Sequence, residues 1–175
     1  MVKTVFQAGR RIYDLVHFVG ALGSEPDRHL RALANWIVTH LNELTQSDFA
    51  LLEKSGKNFS VVHCPRSHAY FGHSPFQFEK LKQLGFNVSL GTDSLASNDS
   101  LSLFAEMRAF QKEFPGTPPD EILAMTTTNA AQALRQENAR GKIASGFKAD
   151  LIAIPCVTST VLRATFYFIA SPRAR

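Results

Sequence analysis

The sequence predicts an α/β protein built on a parallel sheet, and three observations carry that prediction. Short apolar strand-like runs alternate with amphipathic helical patterns. The spacing between successive runs leaves room for a helix each time, as parallel strands require. Each run ends in polar, chemically capable residues. The handedness of such crossovers leaves a closed barrel or an open doubly wound sheet as the two architectures.

The first strand is expected over Asn35 to His40, "NWIVTH". After it, "TQSDFALLEKSG" reads as a helix with Thr45 or Ser47 as cap, Phe49, Leu51 and Leu52 on the buried side, and Gly56 as stop. "NFSVVHC", Asn58 to Cys64, is a second strand bounded by Pro65, whose "CPRS" continuation reads as a turn and whose "AYFG" reads as a loop. Pro75 opens the helix "PFQFEKLKQLG", which presents Phe78, Leu81 and Leu84 on one side. The third strand, "FNVSLGTD", follows at once, and after the loop "SLASND" comes a helix over Ser100 to Phe114. Thr117 to Leu134 gives two short helices around a threonine run, and Asp150 to Ile154 is expected to form a last strand. The segment after Pro155 fits no clear element.

Composition narrows the functional classes. The chain has 175 residues, 45% of them hydrophobic and 19% charged, which suits one globular domain with a substantial core. Its net charge of +4 is scattered, without the basic stripe and interleaved aromatics of a nucleic-acid surface. No run is long and apolar enough to span a bilayer, so neither nucleic acid nor membrane is an expected partner. Two distant cysteines, Cys64 and Cys156, form neither a metal-type pair nor a disulfide framework, and a reducing, cytoplasmic compartment is expected.

In parallel α/β folds the carboxyl ends of the strands collect on one face, where sites form. His40, the cluster His63, Cys64, Arg66 and His68, and the pair Asp93 and Ser94 are therefore expected to converge. Burying an aspartate after an apolar strand is costly unless a cation or hydrogen-bond donors satisfy it. Asp93 thus reads either as a metal ligand or as a cap on the following loop near Ala96 to Asn98. His40 reads as a catalytic group or a satisfied structural side chain, and His63 as a pocket residue or a brace for its own turn. Arg66 suits an anionic or carbonyl-bearing ligand, or solvent. Cys64 reads as a small buried hydrophobe.

The stretch "VVHCPRSHAYFGHSPFQFEKLKQLGFNVSLGTDSLASNDSLSLFAEMR", followed by "NAAQAL" and "GKIASGFKADLIAI", resembles the second half of the deaminase and chlorohydrolase branch of the amidohydrolase superfamily. The resemblance runs from about Trp36 to Pro155. It implies the C-terminal portion of a (β/α)8 TIM-type barrel, about strands six to eight with their helices, and a remnant of a small β-sandwich. Residues 1–34 would then be helix and loop before the sixth strand, 35–140 the partial barrel, 141–155 a strand of the accompanying β domain, and 156–175 a divergent tail.

The implied chemistry is hydrolytic deamination of an amino-substituted heterocycle, using a divalent metal, usually zinc. Asp93 would be metal ligand and general base, and His40 the histidine after the sixth strand that polarises water or substrate. His63, Arg66 and Ser94 would line the substrate. "THLNE" also places Glu43 three residues after His40, which imitates the family's fifth-strand motif. The family's HxH pair is absent from this sequence. The resemblance therefore implies a partial chain without the remaining metal ligands, inactive by itself. Its alternative is a catalytically inactive fragment or interaction module whose open barrel is covered by a second copy or a completing chain. A third reading, a stand-alone doubly wound domain binding phosphate at "HCPRS", lacks the Gly-rich loop it would need.

Overall fold

The computed structural model describes residues 3–6, 36–54 and 59–152. Four strands, β1 (Lys3–Phe6), β2 (Trp36–Thr39), β3 (Phe59–His63) and β4 (Asn87–Leu90), form one parallel sheet in the order β1-β2-β3-β4. Its register sets Val38 beside Val61 and Val61 beside Val88. Six helices complete the described fold: α1 (Gln46–Lys54), α2 (Pro65–Phe71), α3 (Phe78–Gln83), α4 (Leu103–Glu113), α5 (Pro119–Thr126) and α6 (Thr128–Ala133). The α/β class with a parallel sheet is as expected.

Strand alternation sorts the side chains onto two faces. Phe59, Val61 and His63 alternate with the less buried Ser60 and Val62 along β3. Val38, Val61, Val88 and Leu90 join Leu52, Phe78, Leu81, Phe110 and Met125 in one apolar core. Phe110 packs edge-on against Phe78 and tilted against Phe114, with centroids 5.0 and 4.7 Å apart. Complete burial of such a side chain contributes about 1.5–3 kcal/mol.

Local chemistry explains most helix boundaries. Thr45 and Asp48 cap α1 reciprocally: the Asp48 carboxylate accepts the Thr45 N–H at 2.7 Å, and Thr45 Oγ1 accepts the Asp48 N–H at 3.4 Å. Ser102 caps α4 by accepting the Ala105 N–H at 3.3 Å. The proposed stop at Gly56 lies outside the described residues.

Four expectations are corrected. Residues 65–71, read as turn and loop, form α2, with Pro65 in its first turn and Gly72 closing it at φ 63°. That Pro-to-Gly bracket is a helix signal in the sequence. Helix α3 starts at Phe78 and not at Pro75, because Phe76 is drawn into the core, stacked on His63. The region 1–34 opens with a strand, β1, whose four residues "KTVF" are too short for periodicity to register; residues 7–34 lie outside the described residues. Asp150 to Ile152 is not strand but follows turns, held by an ion pair between Arg140 and Asp150. Ala153, Ile154 and the 156–175 tail lie outside the described residues.

Candidate active site

The site grows from the carboxyl edge of β2 and β4. Beyond β2 the ladder continues for one bond, His40 N–H to the Val62 carbonyl at 2.8 Å. The chain then reverses sharply. Leu41 N–H reaches back to the Thr39 carbonyl at 3.2 Å, with His40 at the centre at φ 76°. This is the pattern of the rare, strained γ-turn, and Leu41 also has positive φ, at 49°. Strain of this kind persists only where the surroundings hold it, and it concentrates at functional sites. The holding contacts are visible. Asn42 Oδ1 lies 3.0 Å from His68 Nδ1 on α2, and Glu43 accepts the Ser74 N–H at 3.1 Å beside His73.

Asp93 also has positive φ, at 56°. Its Oδ2 lies 3.9 Å from His40 Nε2, which joins the two strand ends. The same oxygen accepts the hydroxyls of Ser67, at 2.7 Å, and Ser97, at 3.0 Å. Burial alone would raise the Asp93 pKa, but these two hydroxyls and His40 outweigh it and hold the carboxyl below its ordinary value. Burial lowers the His40 pKa, and the attraction of Asp93 offsets this only in part. At neutral pH the pair is a carboxylate facing a neutral imidazole.

Behind this pair lies a polar layer that the sequence reading missed. Glu106 on α4 is completely buried. Its Oε2 accepts the Arg66 N–H at 3.0 Å, and its Oε1 accepts the Asn98 side-chain amide at 2.7 Å. Asn98 Nδ2 also donates to the Thr92 carbonyl at 2.9 Å. Ser67, Ser97, Asn98 and Glu106 were therefore hidden contributors. The signals were the helix periodicity of Glu106, which puts a carboxylate four positions before the core residue Phe110, and the place of all four residues in the stretch that resembles the amidohydrolases.

Against this geometry the comparisons with known proteins can be set. Residues 15–174 match the profile of the Amidohydrolase family. The chain belongs to the amidohydrolase family. Among curated amidohydrolases it is similar to the 5-methylthioadenosine/S-adenosylhomocysteine deaminase of Teredinibacter turnerae, with 39% identity over 66% of this chain and 27% of that protein. It is 35% identical to the enzyme of the same name from Halalkalibacterium halodurans, over 82% of this chain and 32% of that one. Among solved structures it resembles an adenosine deaminase from Xanthomonas campestris with bound zinc, at TM-score 0.60 and 27% identity, over 80% of this chain and 34% of the other. The chain thus spans about a third of the length of these amidohydrolases.

The other expected site residues are placed as follows. His63 is fully buried on the core face of the sheet, stacked flat on Phe76 at 3.9 Å. Its Nε2 lies 3.8 Å from Glu113 Oε2, beyond hydrogen-bond reach, and neither ring nitrogen has a hydrogen-bond partner among the described residues. Burial lowers its pKa. The structure does not bring His63 to the His40–Asp93 pair. Arg66 spends its guanidinium on Ser100, at 2.9 Å to Oγ, and on Asp99. Ser94 is exposed in a turn, its hydroxyl accepting the Ala96 N–H at 3.3 Å. Cys64 is buried, which pushes its thiol up to about 12 and makes it inert.

For a metal, the described residues offer one carboxylate and one imidazole at this edge. No group of three potential ligands occurs among them, whereas a catalytic zinc takes about three protein ligands. The donor types suit a divalent metal, and the number falls short of holding one alone. Among the described residues no helix is long and apolar enough to cross a membrane.

Proposed function

We propose that this chain carries the carboxylate–histidine part of an amidohydrolase site for hydrolytic deamination of an amino-substituted purine ring, in the strand six to eight region of a (β/α)8 barrel. The observation that supports it is the His40–Asp93 pair at 3.9 Å, both residues in positive-φ conformations, beyond the carboxyl ends of β2 and β4, which flank β3. The names of the relatives, deaminases of adenine nucleosides, support the substrate class.

In this reading Asp93 is both a metal ligand and the group that moves protons. A divalent metal, zinc in the Xanthomonas relative, supplies a more acidic water when bound. The Asp93 carboxylate, held ionised by Ser67 and Ser97, takes the proton of the attacking water and returns it to the leaving amine. The C–O bond forms, the C–N bond breaks and ammonia departs. His40, kept neutral by burial, is positioned to hydrogen-bond the water or a ring nitrogen. Ser94 lies next to the pair in sequence as a substrate contact. Arg66 and His63 contribute through placement of α2 and the core.

Ammonia release from an adenine nucleoside by this chain joined to the part of the Teredinibacter turnerae relative that it does not cover, a completed barrel, with added Zn2+ and after chelation, tests this. The reading expects release that chelation abolishes; release unaffected by chelation contradicts the metal, and none from the folded, completed barrel under either condition contradicts the role given to the His40–Asp93 pair.

A further inference from the structure

We propose that Glu106 is the positioning residue of this site: one buried carboxylate that fixes both the serine donors and the backbone of Asp93. The proposal rests on the reading of Asp93 as the group that does chemistry.

Glu106 is completely buried in the first turn of α4, and each of its oxygens serves a different strand-end segment. Oε2 takes the N–H of Arg66 in the first turn of α2, at 3.0 Å. The next residue, Ser67, donates to Asp93 Oδ2 at 2.7 Å. Oε1 takes the amide of Asn98 at 2.7 Å, and the same amide nitrogen bonds the Thr92 carbonyl at 2.9 Å, one residue before Asp93. One path therefore sets the donor to the Asp93 side chain. The other sets the left-handed backbone that aims it, φ 56°. Ser97, the second donor, lies next to Asn98 and also hydrogen-bonds the Ser67 hydroxyl at 2.9 Å, which links the two paths.

A buried acceptor of N–H donors on two separate segments does more than fill space. Hydrogen bonds to a charged acceptor are the strong ones, and a half-satisfied buried network is costly. Arg66 adds a third tie, since its guanidinium holds Ser100 and Asp99 and stands 3.9 Å from Glu106 Oε1. The clamp thus gathers the end of β3, the loop after β4 and the start of α4 at one point. Nothing in this arrangement requires Glu106 to touch substrate.

Two variants separate the paths. Glu106→Gln presents an NH2 group where an acceptor is needed on one side. Asn98→Ala removes the amide shared by Glu106 Oε1 and the Thr92 carbonyl, and the acceptor of the Ser100 N–H, but leaves the Arg66 N–H on Oε2; it is the second variant should the first fail to fold. The readouts are amide hydrogen exchange at Arg66 and Ser67 and the carboxyl 13C NMR signal of Asp93. Glu106→Gln is expected to speed exchange at Arg66 by about tenfold or more and to move the Asp93 carboxyl signal. Asn98→Ala is expected to move the Asp93 signal while Arg66 exchange stays as in the wild type. An unmoved Asp93 carboxyl signal in both variants, with only a lowered melting temperature, would overturn the proposal and make Glu106 a structural residue. Zn2+ added to the completed barrel tests the other claim separately: an Asp93 signal indifferent to Zn2+ there refutes metal binding at Asp93 and leaves the clamp standing.

Discussion

His40 and His63 sit at the ends of neighbouring strands, both buried, both with pKa values lowered by that burial, yet they belong to different regions of the molecule. His40 lies one residue past β2, in a γ-turn that throws its ring toward Asp93. His63 is the last residue of β3 itself, so the pleat commits it to the face of Phe59 and Val61 and stacks it on Phe76. The register sets Thr39 beside Val62, so the two histidines stand level in the sheet, and the reversal of φ at His40 decides that one serves a site and the other a core. Residue type and place in the βα unit were the same for both.

Variants can break or sharpen this contrast. On the site side, His40→Ala in the completed barrel should lower kcat/KM for deamination by about 10^3-fold, within the range for a lost acid–base group, with the melting temperature changed little. A large drop in melting temperature with activity per folded molecule preserved would make His40 structural. On the core side the signs reverse. Phe110→Ala should cost about 3–5 kcal/mol in denaturant unfolding, since its ring packs on Phe78, Phe114 and the edge of His63. A loss below about 1 kcal/mol would show that the described core is not the stabilising one.

Gly91 tests the seam between the regions. A Cβ there would meet Val62 Cγ1 at 2.8 Å and Cys64 Sγ at 3.2 Å, so Gly91→Ala should cost about 1–3 kcal/mol by the same measurement. The smallest effect is a pH dependence. Because the folded-state pKa of His63 is depressed, the unfolded chain binds the proton first, and the stability tied to it is present above about pH 6.5 and lost as pH falls through the folded value. His63→Leu removes two buried nitrogens that have no hydrogen bond among the described residues, and that liability. It should raise stability at pH 5.5 by about 1 kcal/mol relative to wild type, and by less at pH 8. An equal loss of stability at both pH values would mean that the ring is better satisfied than its geometry indicates.

What the sequence made legible follows the same division. Strands β2, β3 and β4 and helices α1 and α4 to α6 were visible because apolar period and capping residues speak locally. The juxtaposition of His40 with Asp93 followed from the rule that strand ends share a face. The polar layer did not, because Ser67, Ser97, Asn98 and Glu106 are brought together by hydrogen bonds across 26 to 40 positions or within an irregular loop, and only Glu106, four positions before Phe110, falls in a helical period. His63 was placed near the pocket by its position in "HCPRS", and strand parity, which was readable, sends it to the core. Arg66 was expected at a ligand, and the acidic and hydroxyl partners that occupy it lie on a loop 34 positions away.

The central claim is that Asp93, and not His63, carries the chemistry of this edge. The most direct measurement is ammonia release from an adenine nucleoside by the Zn2+-supplemented completed barrel carrying this chain as wild type, Asp93→Asn or His63→Leu, each normalised to folded protein. The account predicts release by the wild type, its loss in Asp93→Asn and its retention within a few-fold in His63→Leu. Activity that survives Asp93→Asn, or that disappears in a folded His63→Leu protein, would contradict it.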